Sequence, residues 1–365
     1  MSADSSHGTG TRRGLRALAV AYASVFALLV AFGIAVALFG KPQTSNVVVR
    51  LHVAPMTPVV KPVVAPVVAP VAAPVPEVPT ESAPPVQRTP GASAAPVYAG
   101  TELVADPALI QMTERGPLPR IAADGRTPMQ AYAVPVGDTS KPRIAIVITG
   151  LGISAKATAA ALAGRPPQVT LAFVPYASDV QSWVTQARRQ GHEVLLEVPM
   201  EPFDFSDSDP GPHTLRVGIG EDANTDRLVW ALTRFTGYVG VTNLLGARLL
   251  SDSDSLQPVL AYLRAHGLLF FENDIAARSA VPDVAARTGT AFAQSITTID
   301  SIPTAMEIDH QLYALEIEAR TRGAVSGSGF LYPLTIDRVT QWAQGLSGRG
   351  FVLVPASAIV AAKKP

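Results

Sequence analysis

From Arg143 onward, short apolar runs alternate with stretches whose apolar residues recur every three or four positions. The runs are rich in Val, Ile and Leu and fit strands buried on both faces, and the wider spacing fits helices that bury one face. Residues 144–148 form the first such strand and end at Thr149-Gly150-Leu151-Gly152. An Ala-rich helix follows over 154–163. A strand over 169–174 leads to a helix with Ser178 as its N-cap, Val180, Val184 and Ala187 on one face, and Gly191 as its stop. Residues 193–198 give a third strand. Beyond a long loop, Leu228, Ala231, Leu232 and Phe235 mark a helix. Strands over 238–242, 268–271 and 291–296 come next, with a helix between the first two through Leu256, Val259, Leu260 and Leu263 that ends at Gly267. A helix with Ile308, Leu312, Leu315 and Ala319 inward ends at Gly323. A weak Gly-Ser strand, a helix over 335–345 and a strand over 351–355 complete the series. Roughly seven or eight βα units in about 220 residues is the size of one β/α barrel.

Other patterns precede this region. Residues 17–39 carry neither charge nor proline, a length that spans a bilayer core. Arg12, Arg13 and Arg16 stand before the run, whereas Lys41 and Arg50 follow more sparsely, which predicts a cytoplasmic tail over 1–16 and an inner-membrane anchor with the remainder in the periplasm. A cleaved signal peptide is the alternative, but its apolar region is usually shorter and no small-x-small pattern follows Phe39. Residues 40–100 read as a disordered stalk. They include Pro58, Pro62, Pro66, Pro70 and Pro74 at four-residue spacing, and proline removes the donors that helices and sheets need. Residues 101–142 show no periodicity; they read as a lead-in packed outside the barrel, with turns at Gly116-Pro117 and Asp124-Gly125.

Composition removes several function classes. The chain has no cysteine, which excludes disulfides and thiolate metal sites. Twenty-nine Lys and Arg balance 29 Asp and Glu, so no basic footprint for nucleic acid exists. The six histidines are scattered, and no two stand four residues apart as metal ligands on a helix would.

Several motifs, in order, carry a resemblance. They are the strand ending in Thr149-Gly150, then residues 169–176 (Val-Thr-Leu-Ala-Phe-Val-Pro-Tyr) and 191–202 (Gly-His-Glu-Val-Leu-Leu-Glu-Val-Pro-Met-Glu-Pro). Asp209-Pro-Gly-Pro, residues 240–248 (Gly-Val-Thr-Asn-Leu-Leu-Gly-Ala-Arg), 267–271 and 352–355 follow. Together they resemble the divergent polysaccharide deacetylases, relatives of the NodB-like carbohydrate esterases. The resemblance covers about residues 143–362 and implies a deformed β/α barrel, an envelope location and a carbohydrate ligand. It also implies a divalent metal held by an aspartate and two histidines, with a second aspartate as base. This chain departs from the pattern at each of those positions. The aspartate pair falls on Thr149 and Gly150, one histidine on Leu244, another on Phe330, and the aspartate after the fifth strand on Glu272. Side chains without donors cannot hold a divalent ion, so the family metal is expected to be lost, no cofactor is expected and no residue is assigned as catalytic.

Polar residues remain at the expected strand ends: Glu197 and Glu201, Asn243 and Arg248, Glu272, Asn273 and Asp274. They are candidates for binding a glycan or peptide. Equally, Arg248 pairs with Glu201 or Glu272 to satisfy buried charge. Asp204, Asp207 and Asp209 read as a solvated turn, since no glutamate follows at calcium-loop spacing. The expected role is that of a membrane-anchored envelope protein that binds glycan and has lost deacetylase chemistry. An active hydrolase with a rearranged carboxylate site and a scaffold that docks another envelope protein are the alternatives.

Overall fold

The computed structural model describes residues 105–137, 140–163, 166–273 and 278–360, all within one compact unit spanning 90–365. The anchor and stalk predicted over 17–39 and 40–100 lie outside the described residues. Among the described residues no helix is long and apolar enough to cross a membrane.

The elements run β1 (Ile110–Thr113), β2 (Gly116–Pro119), α1 (Pro128–Tyr132), β3 (Arg143–Leu151), α2 (Ala155–Leu162), β4 (Thr170–Phe173) and α3 (Val180–Arg189). Then come β5 (Val194–Met200), α4 (Glu221–Leu232), β6 (Gly240–Leu245), α5 (Ser253–Ala265), β7 (Leu269–Glu272) and α6 (Val281–Thr288). β8 (Phe292–Gln294), α7 (Ala305–Arg322), β9 (Ala324–Phe330), α8 (Pro333–Leu346) and β10 (Val352–Val354) complete the chain. Strands β3 to β8 pair in sequence order, all parallel. β9 lies along one edge of β3. β10 takes the first residues of the other edge, Arg143 to Ala145, and β4 takes the rest from Val147.

The ring closes after β8. Ile296 and Ile299 donate to the carbonyls of Ser326 and Ser328 at 2.8 Å each, and Ser328 donates to Thr297 at 3.0 Å. The sheet is thus a β/α barrel deformed at the β8–β9 junction, where loop backbone stands in for a longer strand.

Alternation along β3 sets the layers. Ile144, Ile146 and Ile148 join the cluster shared with the helices, and Val147 faces the axis with Ala172, Leu195, Phe271 and Ala293. Each fully buried aliphatic side chain contributes about 1.5–3 kcal/mol. The weak-looking Gly-Ser stretch is a full seven-residue strand. A Cβ on Gly327 would stand 2.7 Å from Leu315 Cδ1, and one on Gly329 would stand 2.9 Å from Ile299 Cγ1. Glycine is therefore what lets α7 and the closing loop press onto β9.

Several expectations need correction. The N-cap of α3 is Asp179, not Ser178, and it makes no side-chain cap bond. Gly116-Pro117 opens β2 instead of forming a turn. The turn is Glu114-Arg115, closed by Thr113 Oγ1 donating to the Gly116 carbonyl at 2.8 Å. Phe235 lies beyond α4, yet it is buried edge-on to Phe173 and Tyr238. Helix α6 has no counterpart in the sequence reading: Pro282 reads as a breaker, but it sits in the first turn, where its missing N–H costs nothing.

The lead-in is also more integral than a peripheral packing segment. Leu109, Ala122 and Tyr132 pack against Val147, Leu195, Val239 and Leu269 inside the barrel. Met129 donates to the Gly267 carbonyl at 3.1 Å, and Arg188 donates to the Tyr132 carbonyl at 2.7 Å. These contacts lie at the amino ends of the strands. The segment plugs that end and leaves the carboxyl end as the mouth.

Candidate site at the carboxyl end of the barrel

The axis-facing positions of β3 and β5 end in Thr149 and Glu197, continuing Val147 and Leu195. Register sets Glu197 beside Thr242, Pro199 beside Leu244, and Thr149 beside Phe330. Glu197 is buried, and its Oε1 accepts the Gly150 N–H at 2.5 Å. Its carboxyl thus reaches from β5 past β4 to the end of β3. Burial pushes its pKa up to about 8, and the single backbone donor offsets only part of that. At neutral pH the group is an uncharged acid.

The remaining candidates separate into partnerships. The Glu201 carboxylate is 2% exposed; Arg248 Nη1 lies 2.9 Å and Arg216 Nε 3.9 Å from it, and Val217 N–H donates to it at 2.7 Å. Its backbone carbonyl also accepts from Arg248 at 3.1 Å and Leu249 at 3.2 Å. Arg248 thus neutralises Glu201 while remaining half exposed at the rim. Asn243 and Asn273 hold each other: Asn273 N–H donates to Asn243 Oδ1 at 3.0 Å, and Asn273 Nδ2 donates to the Asn243 carbonyl at 2.6 Å. Glu272 follows Phe271 and therefore lies on the opposite face of β7, accepting from Gln294 Nε2 at 3.0 Å. The structure brings Thr149, Gly150, Glu197, Leu244 and Phe330 to one mouth, but does not set Glu272 among them. Asp274 lies outside the described residues.

β6 ends in an unusual turn. Leu245 has φ 59°, a left-handed conformation that costs a side chain about 1–2 kcal/mol. Asn243 Nδ2 holds it by donating to the Leu245 carbonyl at 2.7 Å. Gly246 follows at φ 105°, and a Cβ there would stand 2.7 Å from Met200 Cβ.

Sequence reasoning missed Asp300. This buried acid accepts from Phe330 N–H at 2.8 Å and Thr335 Oγ1 at 2.6 Å, so it fixes both Phe330 and the first turn of α8. Its Oδ1 has no partner, and burial raises its pKa. The available signal was an acid directly after the β-branched run Thr297-Thr298-Ile299, shortly beyond β8.

Large apolar side chains stand exposed on the strand ends and loops around this end: Ile153, Tyr176, Phe203, Leu245, Phe330 and Tyr332. The Phe330 and Tyr332 rings lie 5.9 Å apart. Trp230 is a packing residue instead, stacked on His213 at 3.6 Å with Arg234 also over its ring at 5.2 Å. In the loop after β5, Asp209 Oδ1 accepts from Gly211 N–H at 2.8 Å, which is turn chemistry.

The donor set does not fit the divalent ion of a NodB-like site. Thr149 gives its hydroxyl hydrogen to the Gly329 carbonyl at 3.2 Å, Gly150 has no side chain, and Leu244 and Phe330 have no donor atom. Among the described residues no three or more His, Cys, Asp or Glu gather as metal ligands.

The sequence profile of the divergent polysaccharide deacetylases matches residues 146–360. The chain belongs to that family. It is 25% identical over 219 residues to the uncharacterized protein YibQ of Escherichia coli K12, covering 60% of this chain and 67% of YibQ. It is 23% identical over 197 residues to an uncharacterized protein of Haemophilus influenzae, covering 54% of this chain and 69% of that one. Among solved structures, the uncharacterized protein ATU2773 from Agrobacterium tumefaciens C58 superimposes with a TM-score of 0.66 at 36% identity. The match covers 67% of this chain and all of ATU2773.

Proposed function

We propose that this divergent polysaccharide deacetylase binds an envelope glycan at the carboxyl end of its barrel and no longer deacetylates it. One observation carries the reading: a mouth rimmed by exposed aromatic rings holds Thr149, Gly150, Leu244 and Phe330 at the strand ends where the family resemblance implies metal ligands. Aromatic faces beside a few polar groups suit the alternating apolar and hydroxyl surfaces of a sugar. Arg248, half exposed beside its carboxylate partner, supplies donors at that rim. The uncharged run over 17–39 supports an inner-membrane anchor, with the stalk and barrel in the periplasm.

A second reading draws on Glu197. A buried acid with a pKa near neutrality is suited to proton transfer, which would make the chain a hydrolase with a rearranged carboxylate site.

Pull-down of the full chain on purified peptidoglycan, together with a glycan array, tests the binding reading. Tyr332→Ala and Arg248→Ala are each expected to weaken retention about tenfold, since one good contact contributes about 1.4 kcal/mol. No glycan retained by the parent chain, or retention by both variants equal to the parent's, would favour a scaffold that docks another envelope protein.

A further inference from the structure

The carboxylate of Glu201 has more positive charge around it than it can neutralise. Arg248 Nη1 lies 2.9 Å and Arg216 Nε 3.9 Å from the same oxygen, Oε1, so two guanidinium groups share one carboxylate. Glu201 is 2% exposed, whereas the side chains of Arg216 and Arg248 are 40% and 47% exposed. The negative member of the trio is hidden, and the two positive members reach solvent. Arg248 spends one of its five N–H groups on Glu201. Arg216 stands beyond hydrogen-bond reach of it, and its Nε is buried with no hydrogen-bond partner.

Both arginines are presented by fixed backbone. Asn224, itself buried, accepts the Arg216 N–H at 2.9 Å and donates from Nδ2 to the Arg216 carbonyl at 2.8 Å. The Arg216 guanidinium carbon lies 4.6 Å from the centre of the Phe205 ring. Arg248 N–H donates to the Glu201 carbonyl at 3.1 Å. Leu215 pairs with Met200, the last residue of β5, so Arg216 and Glu201 come next to each other at the carboxyl end of the barrel. Acids in the loop between them have other partners: Asp204 accepts from the Ser208 hydroxyl at 2.9 Å, and Asp209 from Gly211 N–H. Among the described residues, Glu201 alone brings a carboxylate within 4.0 Å of either arginine.

We propose that Arg216 and Arg248 form an oxyanion site at the rim of the mouth, and that the glycan bound there is acidic, with a carboxylate or phosphate on its sugar residues. This rests on the glycan reading of the mouth and narrows it. A guanidinium fork meets carboxylate and phosphate oxygens with two parallel charge-assisted N–H bonds, which a neutral hydroxyl cannot match. The incoming oxyanion balances the positive charge left over once Glu201 is counted. The fixed backbone holds both forks in place before the ligand arrives, so little ordering is needed on binding. Deeper in the mouth, Glu197 is uncharged at neutral pH and does not repel such a ligand.

Calorimetric titration of the full chain with three oligomers of equal length tests this: N-acetylglucosamine oligomers, the same oligomers bearing a lactyl carboxylate, and the same oligomers bearing a 6-phosphate. The parent chain is expected to bind at least one acidic oligomer about tenfold or more tighter than the neutral one, by a margin that shrinks as salt rises. The acid it prefers identifies the source of the oxyanion. Arg216→Gln should remove most of that margin, and Arg216→Lys should keep part of it through charge alone. Equal affinity of the parent for acidic and neutral oligomers would overturn the proposal and leave the glycan reading standing. So would an Arg216→Gln chain, shown by circular dichroism to keep the parent fold, that retains the full margin or loses all three affinities by the same factor. No binding of any oligomer by the parent would overturn both.

Discussion

Glu197→Gln is expected to stabilise the domain, and the gain should grow with pH. The folded carboxyl has its pKa raised from the ordinary 4.5 to about 8, so between those values the native state holds a proton that the unfolded chain has released. Stability contributed by the protonated group is full below about pH 4.5, falls as pH rises and levels off above about pH 8. Glutamine keeps an oxygen to accept the Gly150 N–H and never ionises. The two proteins should therefore be nearly equal at pH 4.5 and should differ by about 3–5 kcal/mol at pH 9. Urea unfolding of both chains at pH 4.5, 7 and 9 measures this difference directly. Parallel stability profiles would mean that Glu197 is charged and solvated in the native state, and would remove the basis for a neutral acid in the mouth.

The second large effect is steric. Gly240 opens β6 and pairs in register with Leu269 of β7. A Cβ at Gly240 would stand 2.2 Å from the Leu269 carbonyl oxygen and 2.5 Å from Leu269 Cγ. The oxygen is backbone inside a closed ring of strands, so relief requires the β6–β7 ladder to open. Gly240→Ala should cost upwards of about 3 kcal/mol, at or beyond the upper end of overpacking penalties. Gly137→Ala is the matched control: nothing lies within 4 Å of its Cβ, and its effect should fall within about 0.5 kcal/mol. Urea midpoints and soluble yield of the two variants make the comparison. Equal behaviour would show that the β6–β7 spacing is looser than the structure has it.

Most of the barrel was legible because a parallel sheet covered by helices leaves a strong imprint. Ile144, Ile146 and Ile148 must be apolar to meet the helices, and Val147 must be apolar to meet the axis. What the local sequence does not encode depends on tertiary contacts. Nothing local in Gly327 and Gly329 announces that Leu315 and Ile299 will press against them. Pro282 reads as a break until it is known to sit in a first helical turn. The amino-end plug formed by Leu109 and Tyr132 has no periodicity because it follows the shape of the barrel floor.

The candidate site divides along the same line. The ordered motifs located the strand ends, and Thr149, Gly150, Leu244 and Phe330 do gather at one mouth. Sequence order could not show which side of β7 carries Glu272, because one residue of alternation separates the axis from the helix layer. Nor could it show that Asn243 and Asn273 satisfy each other, or that Arg248 takes Glu201 and not Glu272. Asp300 was hidden by the same limit, since its importance lies in holding Phe330 and Thr335, 30 and 35 residues away.

In the proposed function the barrel has kept its fold and lost its metal chemistry. Metal content of the purified full chain, measured after loading with zinc or nickel and paired with deacetylase assays on acetylated glycan with and without chelator, tests it most directly. Less than about a tenth of an equivalent of retained metal and no chelator-sensitive release of acetate are expected, because a site without Asp and His ligands has no means to hold the ion. One equivalent of tightly held metal, with acetate release abolished by chelator, would contradict it.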